Sequence, residues 1–168
     1  MADKLYAFEI TLHRLAAEDS GKVASGATPS QENLYRDAWG EWPTLAVPHD
    51  TLAMPMAIGF DKALANLAGL ERMYVEPDGS FVWTSPHPGL WWQVDGNAYE
   101  KTGQVLLVDL KGSCPSGHFD QLLDCFGWPS EQMTVQLVRA AVFLHVSTFR
   151  RHAALRGTAG DGEALRPR

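Results

Sequence analysis

Cysteine is scarce in this chain: the 168 residues include two, Cys114 and Cys125. Two cysteines are too few for the disulfide framework of a small secreted domain, so we expect free thiols in a reducing compartment. Long apolar runs are also lacking, because no stretch of about 18 apolar residues occurs and the N-terminus does not have the pattern of a secretory signal. We therefore expect a cytoplasmic protein that has no contact with a membrane.

Positive charge is sparse over most of the chain. Residues 1–138 contain 8 Lys or Arg against 18 Asp or Glu, a net charge of −10, whereas residues 139–168 contain 6 Arg against 2 acidic residues, a net charge of +4. Non-specific binding to nucleic acids depends on Lys and Arg side chains that neutralise phosphates. The acidic first segment argues against such binding, and only the C-terminal segment offers that chemistry.

The length and the hydrophobic content of the chain fit one domain. With 168 residues, 45% of them hydrophobic, the chain can bury a single core. We expect residues 1–156 to form one α+β domain, in which helices flank an antiparallel sheet of four or five strands. Residues 157–168 are rich in Gly, Ala and Arg and are expected to be a flexible C-terminal tail.

Alternation of apolar and polar residues predicts the strands. Residues 6–13 alternate with the period of a half-buried strand. Farther along the chain, residues 72–76 and 80–84 flank a strong turn at Pro77-Asp78-Gly79, and residues 90–100 and 104–111 flank a second turn at 101–103. Gly96 is expected to mark a bulge or kink. The two hairpins together predict an antiparallel meander.

Helical spacing predicts an amphipathic helix over residues 57–70 and a shorter helix over residues 119–126. Thr28 and Pro29 are expected to open another short helix that carries Leu34, Tyr35, Ala38 and Trp39. Residues 40–55 contain three prolines and one glycine and predict a long irregular connection. After residue 132 the pattern fits a strand or a helix, and we expect a short strand followed by a helix that runs to residue 154.

Asp95, Asp109 and Lys111 are the candidate catalytic residues. Asp109 and Lys111 share one face of a strand because side chains alternate along it, and Asp95 lies in the neighbouring strand of the hairpin. Two carboxylates on adjacent strands can bind Mg²⁺ or Mn²⁺, while Lys111 stabilises charge or helps to deprotonate a bound water. The alternative is that Asp95 shapes a turn and that Asp109 and Lys111 are solvated strand residues.

These three residues resemble the motif of the restriction-endonuclease-like nuclease superfamily, in which an acid is followed, after a variable gap, by Asp or Glu, any residue, and Lys. The predicted order of helix, strands, helix and strand over residues 57–138 is also similar to the αβββαβ core of that superfamily. The resemblance implies hydrolysis of phosphodiester bonds in a nucleic-acid substrate, with Mg²⁺ or Mn²⁺ held by Asp95 and Asp109. The sequence departs from the motif at Val94, where a proline would precede the first acid.

Two other functions are open from the sequence. A non-catalytic protein-interaction module would use an aromatic-rich sheet surface or the long connection, with anchors among Trp39, Trp42, Trp91 and Trp92. Trp91 and Trp92 are adjacent, so they must lie on opposite faces of a strand, and we expect both to be covered. A small-ligand-binding domain would instead have a pocket lined by Trp.

Cys114, His118 and Cys125 are further candidates for metal ligands. A cysteine just before a helix can have a lowered pKa, and the CxxxH spacing places a thiol near an imidazole. A tetrahedral structural site needs four ligands with paired close spacings, and the sequence offers no second pair. We expect these residues to be ordinary buried or capping residues.

Overall fold

The computed structural model describes residues 4–15, 34–86 and 90–158. The strands in these ranges are β1 Leu5–Arg14, β2 Leu34–Asp37, β3 Gly40–Pro43, β4 Met73–Val75, β5 Ser80–Thr84, β6 Gln93–Lys101, β7 Gln104–Pro115, β8 Met133–Leu137 and β9 Val142–His145. The helices are α1 His49–Leu52, α2 Phe60–Ala68, α3 Ser116–Cys125 and α4 Val146–Thr158.

Seven of the strands form one antiparallel sheet in the order β4-β5-β6-β7-β1-β8-β9, and β2 pairs with β3 in a separate hairpin. The segment from β4 to β7 is the expected meander, and both of its predicted hairpin turns are confirmed. The N-terminal strand β1 lies between β7 and β8. The α+β class is therefore confirmed, but the expected four or five strands were too few, because β1, β8 and β9 extend the meander into one larger sheet.

The αβββαβ order expected between residues 57 and 138 is not the observed one. Four strands, β4 to β7, separate α2 from α3. The strand after α3 is β8, which pairs with β1 and β9 rather than with the meander. The extra strand arises because both turn signals, at 77–79 and at 101–103, close hairpins of the same sheet.

Helices α2, α3 and α4 pack on one face of the sheet, where an aromatic cluster joins α3 and α4 to β1. Tyr6 and Phe8 of β1 contact Phe119 of α3 and Phe149 of α4, with ring centroids 5.4 to 6.2 Å apart in edge-to-face geometry. Phe8, Phe119 and Phe149 are fully buried. Burial of one such side chain stabilises the fold by about 1.5–3 kcal/mol, so this cluster fixes the helices against the sheet.

The short helix that was expected to carry Leu34 and Tyr35 is wrong, since Leu34–Asp37 is a strand that pairs with Gly40–Pro43. The expected start of that helix, at Thr28 and Pro29, lies outside the described residues. The Asp37 carboxylate closes this hairpin, because its Oδ1 accepts hydrogen bonds from the Trp39 backbone N–H at 2.9 Å and from Trp42 Nε1 at 3.0 Å. Local side-chain hydrogen bonding of this kind favours a turn over a helix. The irregular connection expected at 40–55 therefore contains β3 and the one-turn helix α1.

The C-terminal part of the domain contains the expected strand and helix, with one addition. Met133–Leu137 is a strand and Val146–Thr158 is a helix, but Val142–His145 is a further strand that pairs with β8. Ala141, whose φ of 57° is left-handed, makes the tight turn between the two strands. The helical spacing of residues 138–149 was misleading because β9 is only four residues long.

Gly96 is not a bulge, because the pairing of β6 with β7 and β5 is regular there and shifts instead between Tyr99 and Glu100. A Cβ atom at Gly96 would collide with the ring of Phe81, which lies against the glycine on the helix-covered face. The tail expected at 157–168 lies outside the described residues from 159 onward. Among the residues that are described, no helix is long and apolar enough to cross a membrane.

Candidate functional site

The sheet face opposite α2, α3 and α4 is mainly polar, and we call it the open face. Residues that are directly opposite in an antiparallel pair lie on the same face, so the strand register defines three rows of neighbours across it. The first row is Tyr74, Val82, Asp95, Lys111 and Glu9. The second row is Ser80, Asn97, Asp109, Thr11 and Gln136. The third row is Tyr99, Leu107, His13 and Thr134.

The three predicted catalytic residues lie together on the open face. Asp95 is directly opposite Lys111, and Asp109 is one row away, opposite Asn97. Asp95 and Asp109 are therefore diagonal neighbours, and the Cα atoms of such pairs are about 7–8 Å apart. Lys111 is also opposite Glu9 on β1, so two carboxylates flank the lysine.

Each of the two aspartates already uses one carboxylate oxygen. Asp95 Oδ1 accepts a hydrogen bond from Gln93 Nε2 at 2.9 Å, and Asp109 Oδ1 accepts one from the Thr11 hydroxyl at 2.9 Å. Gln93 lies on the far side of Asp95 from Asp109, and Thr11 lies on the far side of Asp109 from Asp95. Within the described ranges, no group of three or more His, Cys, Asp or Glu side chains is arranged to hold a metal ion.

His13 is a further polar residue of the open face. Its side chain is buried, 7% exposed, and its ring packs edge-to-face on Phe143 with centroids 5.7 Å apart. Neither ring nitrogen has a hydrogen-bond partner of good geometry. Burial lowers the pKa of His13 from its ordinary value, and the nearby Gln136 amide and Asp109 charge oppose this only in part. Burial therefore favours the neutral imidazole.

Two adjoining troughs run over the open face. One, of about 390 Å³, lies between the first two rows and is bordered by Glu9, Asp95, Asn97, Asp109 and Lys111. The other, of about 360 Å³, is lined by His13, Tyr99, Leu107, Asp109 and Gln136. Asp109 and Thr11 belong to both, so the troughs form one continuous surface.

A smaller cavity, of about 230 Å³, lies between the β2–β3 hairpin and helix α4. Its lining includes Trp39, Tyr35, Arg139 and the buried pair of Asp37 and His152. This is a Trp-lined pocket of the kind expected for a small-ligand-binding domain. Its volume is below the roughly 300–1,000 Å³ that is typical of ligand pockets, and hydrogen bonds within the protein occupy the Asp37 carboxylate.

Cys114 and Cys125 are buried free thiols. Burial raises the pKa of Cys114 far above its ordinary value, and burial together with the Asp124 charge raises the pKa of Cys125 to about 11. His118 packs against the rings of Trp83 and Trp92, at 5.5 and 4.9 Å between centroids. Neither cysteine has the lowered pKa of a nucleophile, and the described residues around them include no metal-binding group.

The tryptophans divide into buried and exposed residues. Trp42 and Trp92 are buried, and Trp39 packs partly against the core. Trp91 is 41% exposed, so the expectation that both Trp91 and Trp92 would be covered was wrong for Trp91. Trp92 contacts Trp83 inside the core, whereas Trp91, which also precedes β6, is exposed.

Glu9, Thr11, His13 and Gln136 were missed as site residues. The strand that contains Glu9, Thr11 and His13 was predicted correctly from its alternation, which also gave the polar face of β1, and Gln136 lies in β8. The sequence contains no local signal that β1 pairs with β7, because the paired residues Thr11 and Asp109 are 98 positions apart. No family model matches the chain, and neither a curated protein nor a solved structure matches it.

Proposed function

We propose that the protein is a non-catalytic recognition domain that binds a protein partner on the open face. One observation supports this most: exposed apolar and aromatic side chains stand in the same rows as hydrogen-bonding residues, on a face that α2, α3 and α4 leave uncovered. Tyr74, Val82 and Tyr99 are the exposed members, and Tyr99 is 42% exposed. Aromatic anchors beside polar groups are typical of protein interfaces.

The charges of the open face favour a basic partner. The face has three carboxylates, Glu9, Asp95 and Asp109. Its positive charges are Lys111 and, at the rim, Arg139, whose Nε lies 3.4 Å from Glu9 Oε2. Residues 1–138 have a net charge of −10 and the whole chain has −6. A nucleic-acid backbone would be repelled by such a surface, whereas complementary charge accelerates association with a basic protein.

Metal-dependent phosphodiester hydrolysis is the second candidate function. It is supported by the clustering of Asp95, Asp109 and Lys111 on one face. Two hydrogen bonds argue against this function. Asp95 Oδ1 accepts one from Gln93 and Asp109 Oδ1 accepts one from Thr11, and these two donors lie on opposite sides of the aspartate pair. Its metal ligands are these two carboxylates alone, so water would have to fill the other positions around Mg²⁺ or Mn²⁺, and Lys111 would stabilise charge beside them.

Site-specific photocrosslinking tests the proposed function. A photoreactive amino acid at Asn97, in the middle of the open face, should capture a protein from cells of the source organism. The same amino acid at Asp124, an exposed residue of α3 on the other side of the molecule, should not capture that protein. Identical products from both positions, or none from Asn97, would contradict the proposal.

The captured protein is then purified and its affinity is measured by calorimetry. Tyr99→Ala should weaken binding about tenfold or more, because truncation of a central aromatic anchor costs on the order of 2 kcal/mol. Asp124→Ala is the matched control and should bind like the wild type. Equal affinities of the wild type and Tyr99→Ala would show that Tyr99 does not contribute to the interface.

A further inference from the structure

Asp109 is the carboxylate of the open face that has no cation directly opposite it on a neighbouring strand. Glu9 and Asp95 are both directly opposite Lys111, whereas Asp109 lies between Asn97 and Thr11. In the part of the chain that the structure describes, no ion pair joins Asp109 to a basic side chain. The Thr11 hydroxyl donates to Oδ1, so Oδ2 and the negative charge are left for another group.

His13 is a second, independent indication of a ligand at this place. The side chain is more than nine-tenths buried, lines the same trough as Asp109 and has no hydrogen-bond partner of good geometry at either ring nitrogen. A buried polar group without a partner is costly, and in folded proteins such groups are normally satisfied. A neutral imidazole retains one nitrogen that accepts a hydrogen bond, so His13 offers an acceptor to a donor that enters the trough.

The remaining walls of the trough suit a flat cation. Tyr99 presents a phenol ring that is 42% exposed, and a cation over such a ring is attracted by its π-system. Gln136 is half-buried and has an amide oxygen that can accept a further hydrogen bond. Leu107 closes the floor between Tyr99 and His13 in the third row.

We propose that this trough binds an arginine side chain of the protein partner. The inference rests on the proposed function and names the group that the open face recognises. A guanidinium presents five N–H donors in one plane, which matches acceptors at Asp109, His13 and Gln136 and allows contact with the Tyr99 ring. A lysine ammonium is a compact, strongly hydrated charge, and it matches acceptors that are spread over three side chains less well than a guanidinium does.

A titration with N-acetyl-L-arginine methylamide, followed by amide and imidazole NMR signals, tests the inference on the whole chain. We expect saturable shifts at millimolar concentration that are confined to residues of the trough, with His13 and Thr11 among them. The citrulline counterpart has nearly the same shape without the charge and should produce no saturable shift. Equal shifts with citrulline, or tighter binding of the lysine counterpart, would overturn the proposal.

Three variants locate the site. Asp109→Asn keeps an oxygen for the Thr11 hydroxyl and should weaken arginine binding at least about tenfold, since the charge-assisted hydrogen bond is lost. Tyr99→Leu removes the ring from an exposed position, where folding is not at risk, and should weaken binding about threefold. Asp124→Asn is the matched control, because that carboxylate is exposed on α3 away from the open face, and should bind as the wild type does. Unchanged arginine binding in both Asp109→Asn and Tyr99→Leu would show that arginine does not bind in this trough.

The partner identified by crosslinking separates this inference from the proposed function. If Asn97 captures a partner whose affinity does not change with Asp109→Asn, the arginine subsite is wrong and the recognition face stands. If Asn97 captures no partner while the arginine probe binds at Asp109, the subsite stands and the proposed function is wrong. If the partner binds and Asp109→Asn weakens it at least about tenfold, both are supported.

Discussion

Asp37 and His152 are joined by a hydrogen bond of 2.6 Å between Oδ2 and Nε2, although they are 115 positions apart. Their side chains are 10% and 4% exposed. Asp37 ends β2, and His152 lies in α4 with the rings of Trp39 and Trp42 on either side, at 5.7 and 5.1 Å between centroids. The pair therefore connects the β2–β3 hairpin to helix α4, which packs on β1.

Removal of Asp37 should destabilise the fold. Asp37→Ala breaks a buried pair and also removes the acceptor for Trp42, so we expect a loss of about 3 kcal/mol in the free energy of unfolding. Urea denaturation at pH 7 measures it. Glu41→Ala is the control in the same hairpin, because its ion pair with Arg36 is exposed and should contribute less than about 1 kcal/mol. A loss below about 1 kcal/mol for Asp37→Ala would show that the hairpin is held by packing alone.

The same carboxylate predicts a pH dependence. Burial alone would raise the pKa of Asp37, but hydrogen bonds from Trp42, His152 and the Trp39 N–H, with the His152 charge, lower it below its ordinary value. A group whose pKa is lower in the folded state contributes stability above its unfolded pKa and loses it as the pH falls through the folded pKa. The stability advantage of the wild type over Asp37→Asn should therefore be full at pH 6 and shrink below about pH 4. Urea titrations across this range check it, and an advantage that grows on acidification would contradict it.

Gly96 is expected to be intolerant of a side chain. The Phe81 ring occupies the space where a Cβ would stand, so Gly96→Ala should cost about 1–3 kcal/mol through overpacking. Phe81→Leu in the same chain should recover part of the loss, because a smaller side chain leaves room for the methyl group. Thermal denaturation of the two single variants and the double variant measures this coupling. If the losses of stability from Gly96→Ala and Phe81→Leu were strictly additive, the Phe81 ring would not be the reason that position 96 requires glycine.

The sequence-based predictions were accurate where a feature depends on residues that are close in sequence, and they failed where it depends on residues that are far apart in sequence. The hairpins at 77–79 and 101–103 were predicted because their turns are local: Asp78 Oδ1 accepts hydrogen bonds from the backbone N–H and the hydroxyl of Ser80, and Thr102 and Gly103 both adopt positive φ. Alternation gave β1 and its two faces. These signals act over a few residues and can be recognised in the sequence.

The β2–β3 hairpin and the neighbours of the candidate site could not be predicted in this way. Asp37 closes its hairpin by contacts with Trp39, Trp42 and His152, and the last of these depends on the tertiary fold. The same is true of β1, whose place between β7 and β8 brings Thr11 and His13 to Asp109. Asp109 and Lys111 were predicted to share a face of one strand, with Asp95 in the neighbouring strand of the hairpin, and the structure places all three on the open face.

Millimolar Mn²⁺ separates the two candidate functions. A cation that binds only the folded state raises the melting temperature by mass action, and the hydrolase function requires such a shift. The proposed recognition domain should melt at the same temperature with and without Mn²⁺, within about 1 °C. A clear rise that Asp109→Asn abolishes and Asp124→Asn preserves would favour the metal site over our proposal. Differential scanning calorimetry is sufficient for the comparison.

Lys111→Ala gives opposite signatures for recognition and for catalysis. A lysine that stabilises the transition state would lower turnover far more than binding, so a hydrolase should lose most of its cleavage of DNA or RNA with Mg²⁺ or Mn²⁺. In the recognition domain neither protein should cleave either substrate. Loss of Lys111 leaves Glu9 and Asp95 without the cation between them, which makes the open face more negative.

That change should speed association with the basic partner about two- to threefold at low salt, because peripheral charges act mainly on the association rate. In stopped-flow measurements the difference should fade at about 1 M salt, where the screening length is only about 3 Å. Asp124→Ala, far from the open face, should have a smaller effect on the rate than Lys111→Ala. Slower association of Lys111→Ala would mean that the partner presents negative charge to this face, and the choice of a basic partner would be wrong.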